Sequence, residues 1–444
     1  MKTGNDNRLI LGAGLAGLSV AHYLGDKVRL LEAGKRPGGL CQSYVKDNFV
    51  YDIGGHILFS KDKDILNEIL GWLGSNVQQK RRKNEVWYKD RFVKYPFEND
   101  LSSLDKQENF ECLMSFLQRK DNVSKNLYDW CVDRFGTGIA QKYLIPYNEK
   151  IWKRDPKNMS LHWVDRIPSP PMEDIIKSAI GIKTEGYTHQ LNFSYPKTGG
   201  IESLIKSLIT KESNIKTEFR VNKIIKKKDE WHISDGNRTE YCNTLISTMP
   251  IFDLVNSLEN VPEKVVQALS RLQYNSMILV MVGVNHTGLQ KQTAFYIPDP
   301  NILPHRVCFL NSFSEFNAPT GCSHLVAEIT LPPEHKLLKT SKEDVIQRVI
   351  NDVKDICEFK EQDIISTDYK VIKYAYVVYD SDYLKNRKII FDYLDFLGIF
   401  YTGRFGSFKY INMDACVRMS KDLVFNKILL NSKNIKESVG RVLL

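Results

Sequence analysis

The alternation of apolar and polar positions changes rhythm several times along the chain. Residues 8–11 read as a short apolar strand, 12–17 as a glycine turn, 15–24 as a helix opening inside that turn, and 28–32 as a second strand. This is a βαβ start. Between about 101 and 180 apolar residues recur at three- and four-residue intervals, as in Leu113, Phe116, Leu117 and again Leu127, Trp130, Cys131, which predicts a helical insertion. After Gly199-Gly200 come a short helix (201–209) and strands at 217–225, 230–234 and 244–248. Strand-like runs then dominate (277–284, 305–310, 325–331, 368–378), with one helix at 342–356. The end returns to strand (399–402), glycine turn (403–406) and helix (414–431). A chain that opens and closes with nucleotide-type turns builds one domain from both its ends.

Composition narrows the class. With 444 residues, 42% hydrophobic and 26% charged, the chain can bury a large core, which excludes disordered, collagen-like and miniprotein classes. Its longest apolar runs fall short of the roughly 18 to 20 residues that cross a bilayer, and residues 1–7 are too polar for a signal peptide. The expectation is a cytoplasmic protein without a membrane span. Eight cysteines lie scattered without a CxxC pair, and nine histidines show no ligand spacing, so neither a disulfide frame nor a metal site is expected. The net charge of +9 suits nucleic acid, anionic membranes or phosphorylated ligands alike. The densest basic runs, 80–83 and 226–228, lack interleaved aromatics, so they read as solvated strand ends or loops, with no nucleic-acid partner.

The chemistry begins at Gly12-x-Gly14-x-x-Gly17. These glycines allow a tight turn, close approach of a pyrophosphate to the helix N-terminus, and close packing of helix on strand. Glu32 ends the second strand, where a carboxylate can accept hydrogen bonds from ribose hydroxyls. The pattern binds a dinucleotide; NAD and FAD share it. Two further segments, Lys35-Arg36-Pro37-Gly38-Gly39-Leu40 and Asp52-Ile53-Gly54-Gly55-His56, follow in order. That order resembles the flavin-dependent amine oxidase and protoporphyrinogen oxidase superfamily, where the acid, the glycine doublet and the D-x-G-G segment hold ribose, pyrophosphate and flavin ring. The resemblance makes FAD the expected cofactor, with Gly12, Gly14, Gly17, Glu32, Gly39, Gly54, Gly55, Arg404, Met413 and Asp414 holding it. The fold expected is α/β: a Rossmann-like FAD-binding domain from 1–75, 198–250 and 388–444, a helical substrate and lid domain at 100–197, and an antiparallel β-sheet domain from 76–99 and 251–387.

Further blocks narrow the likeness. Trp87-Tyr88 with Tyr95-Pro96-Phe97, the run 136–140 leading to Pro146-Tyr147-Asn148-x-x-Ile151-Trp152, and residues 159–166 resemble UDP-galactopyranose mutases of the eukaryotic type. The closing run 403–414 is similar to that family's flavin-capping motif, its Met413-Asp414 nearer the bacterial branch. The resemblance implies an isomerase that interconverts UDP-galactopyranose and UDP-galactofuranose for cell-surface glycans. Reduced flavin N5 attacks the anomeric carbon, UDP leaves and returns, and no net redox occurs. It implies Arg166 and Arg306 as the diphosphate clamp and His56 against the flavin ring. Tyr376 and Tyr410 would bond the diphosphate, Tyr95, Trp152 and Tyr296 would line the nucleotide pocket, and Asn148 lies in the same matched block. Glu98 stands where the eukaryotic-type enzymes have a glutamine near the uracil. Phe313 replaces a tyrosine, and Val377 and Tyr379 interrupt the bacterial Tyr-Pro-x-Asn pattern, so base and sugar stay open. The partners implied are a nucleotide-diphosphate sugar and an external reductant such as NADPH or NADH. Residues 169–190, bounded by prolines and carrying Gly181 and Gly186, read as a lid.

Competing readings remain at each position. An arginine alone is usually a surface ion pair, a buried histidine a satisfied core residue, and an aromatic ordinary packing. For the whole chain, the alternatives are an FAD-dependent amine or porphyrinogen-type oxidase and a non-enzymatic flavin sensor.

Overall fold

The first βαβ unit forms where the apolar rhythm placed it. Strand Arg8–Leu11 runs into helix Leu15–Leu24, and strand Arg29–Leu31 returns parallel to the first. The computed structural model describes residues 7–25, 28–120, 122–185, 188, 191–289 and 292–430. Gly186 and neighbouring parts of the expected lid, and residue 431 of the expected last helix, lie outside the described residues.

The nucleotide layer is a five-stranded sheet, parallel throughout, in the order Phe400–Tyr401, Thr244–Ser247, Arg8–Leu11, Arg29–Leu31, Asn214–Lys216. Its central strands carry buried apolar runs, Leu9-Ile10-Leu11, Leu30-Leu31 and Leu245-Ile246, as a parallel sheet covered on both faces requires. The outermost strand comes from the far end of the chain, and helix Met413–Leu423 packs on helix Leu15–Leu24, with Ser420 Oγ donating to the Ala16 carbonyl at 3.3 Å. Segments from near both chain ends thus share one sheet. Helices Ile251–Ser257, Glu263–Arg271 and Tyr383–Leu397 share its core: Leu254, Leu269 and Leu394 pack in one cluster with Leu9 and Leu31.

The second layer is a seven-stranded sheet ordered Ile364–Val378, Gln273–Val284, Ser323–Leu331, Arg306–Cys308, Ala294–Tyr296, Asn84–Tyr88, Arg91–Lys94. Every pairing is antiparallel except Ala294–Tyr296 with Asn84–Tyr88. Alternation along the central strand divides it between two cores. Ile278, Val280 and Val282 meet helix Lys342–Val353, while Met277, Leu279 and Met281 face the rest of the molecule.

The helical part contains Lys106–Leu117, Leu127–Ile139, Ile145–Trp152 and Met172–Ala179. Gly136 and Gly138 let the first two cross closely, since a Cβ at Gly136 would sit 2.4 Å from the Ser115 carbonyl oxygen and one at Gly138 2.7 Å from Ser115 Oγ. Three local expectations need correction. The run 217–225 is not one strand: Glu218 takes a left-handed φ of 53° and breaks it, leaving Asn214–Lys216 and Lys223–Lys227 in different sheets. Residues 383–397, for which the sequence pattern predicts no element, form helix Tyr383–Leu397, with Tyr383, Ile390, Phe391 and Leu394 buried at helical spacing. The strand expected at 305–310 stops at Cys308 and gives way to a 3-10 turn at Leu310–Ser312.

Candidate functional site

The nucleotide cavity is built by two glycine turns set back to back. Gly12 has a φ of +97°, and a Cβ there would lie 2.7 Å from Thr248 Oγ1; a Cβ at Gly17 would lie 1.9 Å from the Gly12 carbonyl oxygen. Only glycine permits this turn and this helix-on-strand contact. Gly38 donates to the Ala13 carbonyl at 2.9 Å, which brings Gly39 beside Gly14: a Cβ at Gly39 would meet Gly14 Cα at 3.3 Å. Glu32 binds across the first turn, its Oε2 accepting from Ala13 N at 2.9 Å and its Oε1 from Gly34 N at 2.8 Å. The resulting cavity, of about 780 Å³, has Gly12, Gly14, Glu32 and Gly39 at one end and Gly55, His56, Arg404 and Met413 at the other. A cradle that side chains would fill, a carboxylate at the strand end and a helix N-terminus fit a dinucleotide with its pyrophosphate on the turn.

A second cavity of about 820 Å³ opens beside the first, and the two share Gly55, His56, Arg404 and Asn412. Tyr95, Tyr147 and Tyr296 line one side, with ring centroids 4.8 Å apart for Tyr95 and Tyr296 and 5.4 Å for Tyr147 and Tyr296. Opposite them Tyr376 stacks on Tyr410 at 5.6 Å. Two guanidinium groups lie over Tyr410, Arg404 at 3.9 Å and Arg166 at 4.6 Å. Arg166 donates to Asn412 Oδ1 at 2.8 Å and to the Tyr410 carbonyl at 2.5 Å; Arg404 donates to the Ala375 carbonyl at 2.7 Å. Among the described residues neither is in an ion pair, and Arg404 Nε is buried without a partner. Burial draws the Arg166 guanidinium below its ordinary value, with Arg404 adding to the effect.

Arg306 is different. Its Nε donates to Glu328 Oε1 at 2.8 Å and its terminal nitrogen to Oε2 at 2.6 Å, a two-point pair whose carboxylate is fully buried. Burial pulls the Arg306 guanidinium down, but Glu328 foremost, together with Cys308, Tyr376 and Tyr296, holds it well above its usual value. His56 is pushed down to about 3 by burial, then by Arg404 and Arg306, so its imidazole is neutral. Asp414 accepts from Ser60 at 2.5 Å and, with Met413, opens the last helix at the cavity edge.

Other expected positions lie behind the walls. Trp152 Nε1 donates to Asn148 Oδ1 at 3.1 Å, and Asn148 Nδ2 donates to the Leu144 carbonyl at 2.8 Å. The indole props the aromatic wall from the rear, edge-on to Trp163 at 4.6 Å and Tyr376 at 5.9 Å. Glu98 is buried, both carboxyl oxygens lack partners, and burial pushes it up to about 8. Gly54 does not line the nucleotide cavity: a Cβ there would lie 3.3 Å from both Arg306 and Glu328. The reading had missed Glu328, Tyr147, Asn412 and Arg82, which all line the second cavity. Glu328 had a visible signal, as the lone acid in the apolar run Leu325-Val-Ala-Glu-Ile-Thr-Leu331; such a charge inside a buried strand needs a partner. Among the described residues no group of His, Cys, Asp or Glu could hold a metal ion, and no helix is long and apolar enough to cross a membrane.

A parallel sheet that joins strands from near both chain ends thus stands with an antiparallel sheet and two adjoining cavities. The chain belongs to the flavin containing amine oxidoreductase family, whose profile matches residues 15–386. The fold is similar to that of a reduced UDP-galactopyranose mutase (TM-score 0.85, 23% identity, 95% of this chain and 96% of that one). It is also similar to cyclohexylamine oxidase from Brevibacterium oxydans (0.65, 16%, 94% and 98%) and to a fatty acid isomerase from P. acnes that produces CLA (0.63, 15%, 95% and 99%).

Proposed function

We propose that the protein is an FAD-dependent mutase that interconverts UDP-galactopyranose and UDP-galactofuranose, or a closely related nucleotide sugar, without net redox. The observation that carries this reading is the pair of guanidinium groups over Tyr410, both free of ion pairs among the described residues. Two guanidinium groups without ion pairs, beside the nucleotide cavity, suit the charge of a diphosphate. They oppose a protonated amine, which argues against the amine oxidase reading that the family also contains.

In its reduced form the bound flavin supplies a nucleophile for the anomeric carbon. Arg166 and Arg404 hold the diphosphate as it departs and returns, with Arg306 lining the same cavity. Neutral His56 gives a hydrogen-bonding group at the junction without adding charge. The amides that open helix Met413–Leu423 would stabilise negative charge on a reduced flavin held in the adjoining cavity. The tyrosine walls exclude water from the departing group, so that it recombines with the sugar and is not lost. A reduced nicotinamide dinucleotide is the external reductant in this reading.

The test is an anaerobic conversion of UDP-galactofuranose to the pyranose form, followed by chromatography, with reductant use measured in parallel. The reduced enzyme should turn over many times per reductant equivalent. Turnover by oxidised enzyme, or one equivalent consumed per product, would sink the proposal.

A further inference from the structure

Arg166, Arg306 and Arg404 all line the second cavity, and of these three only Arg306 carries a buried counter-charge. Glu328 is fully buried, binds Arg306 at two points, and also accepts from Cys308 Sγ at 3.3 Å. His305 Nε2 lies 3.9 Å from Glu328 Oε2, but burial and Arg306 keep that imidazole neutral. Arg306 therefore offsets the carboxylate alone among the described residues. Gly54 leaves space for the pair, since a Cβ there would press on both partners at 3.3 Å.

A pair serving only stability would be hidden from ligand. This one is not: Arg306 and Glu328 both line the cavity that holds Arg166 and Arg404. A dianion that approaches Arg306 must also approach Glu328, and in a low-dielectric site the repulsion takes back much of the attraction. We infer that Glu328 is a positioning residue that fixes the Arg306 fork and limits how tightly the cavity holds the diphosphate. The inference rests on the mutase reading and deepens it. A group that must leave and then attack the same carbon should not be trapped: full compensation by three bare arginines would favour the separated diphosphate over recombination. Glu328 lowers that trap while Arg306 still donates hydrogen bonds.

The experiment measures UDP affinity of the FAD-loaded protein by calorimetry, for wild type, Glu328→Gln, Glu328→Asp, Arg306→Ala and the double variant Arg306→Ala/Glu328→Gln. Glu328→Gln keeps shape and removes charge, so UDP should bind about tenfold or more tightly, with KM and kcat falling together. Glu328→Asp, which keeps the charge, should stay near wild type in affinity. Weaker or unchanged UDP binding in Glu328→Gln would overturn the inference, because loss of a merely structural contact can only loosen the clamp. If Glu328→Gln fails to retain flavin, the double variant decides, since it buries neither charge. It should bind UDP more tightly than Arg306→Ala, and equal or weaker binding would overturn the inference. Absence of UDP binding by the wild type would instead refute the nucleotide-sugar reading itself.

Discussion

Replacing Glu98 by glutamine changes a buried charge without changing shape, and its effect should depend on pH. Glu98 is 1% exposed, neither carboxyl oxygen has a partner, and burial raises it from 4.5 to about 8. Ser178 bonds its backbone carbonyl only. In the unfolded chain the group ionises near 4.5, whereas in the native protein it stays protonated to about 8. The native state therefore binds the extra proton between those values, and its stability falls as pH rises through that interval. At about 1.4 kcal/mol per pH unit the loss reaches ~3 kcal/mol at pH 7 and ~5 kcal/mol above pH 8. Glutamine has no proton to lose and escapes this decline, at a pH-independent cost of about 1 kcal/mol or more for burying an unpaired amide. Urea unfolding of both proteins at about pH 5, 6.5 and 8, at one FAD concentration and followed by tryptophan fluorescence, measures the difference. Glu98→Gln should be the less stable at the acid end and the more stable at the alkaline end. A difference that stays flat across this range would mean that Glu98 is ionised or paired in the native protein, and the burial argument would fail.

The two first-turn glycines should fail in different ways. Gly17→Ala drives a Cβ into the Gly12 carbonyl at 1.9 Å and should lower the unfolding midpoint with or without flavin, whereas Gly14→Val, with 3.7 Å to its nearest neighbour, should fold but elute without FAD. Arg166→Ala and Arg306→Ala should each weaken UDP binding by roughly one to two decades. Only Arg306→Ala should also destabilise the protein, by about 3 to 5 kcal/mol in urea unfolding, because it strands the buried Glu328 charge. Asn99 donates to the Thr184 carbonyl at 3.0 Å and accepts from its hydroxyl at 2.7 Å, holding the segment after helix Met172–Ala179. Asn99→Ala should speed tryptic cleavage at exposed Lys183 several-fold, with saturating UDP restoring protection.

Local chemistry was legible in the sequence to the extent that it was local. Gly12, Gly14, Gly17 and Glu32 lie within one βαβ unit, so their spacing alone places them around one turn, and the structure adds only the amides that Glu32 accepts. The second cavity joins residues from Leu40 to Arg418, which no periodicity connects; only block-by-block resemblance placed Arg166, Arg306, Tyr376 and Tyr410 together. Spacing also cannot tell which way a side chain turns. Asn148 and Trp152 sit on the helix that carries Tyr147 and Ile151, yet only the latter two face the cavity. Gly54 shows the same limit: the motif drew it to the flavin, and the packing shows it making room for an ion pair formed by residues some 250 and more positions away.

The three arginines lining the junction illustrate how a site can hold charge without spending it. Arg306 is matched by a carboxylate, and what it offers a ligand is mainly geometry. Arg166 and Arg404 are held by carbonyls, an amide oxygen and the face of Tyr410, groups that orient a guanidinium without an ion pair. Two such cations so close together repel, which is why Arg404 adds to the downward pull on Arg166. The repulsion is sustained by the fold and relieved by whatever anion enters, so part of the binding energy for a diphosphate is already stored in the empty arrangement of donors. An amine substrate would increase the same repulsion. On the proposed reading, the guanidinium groups left without ion pairs at this junction favour an anion over a protonated amine.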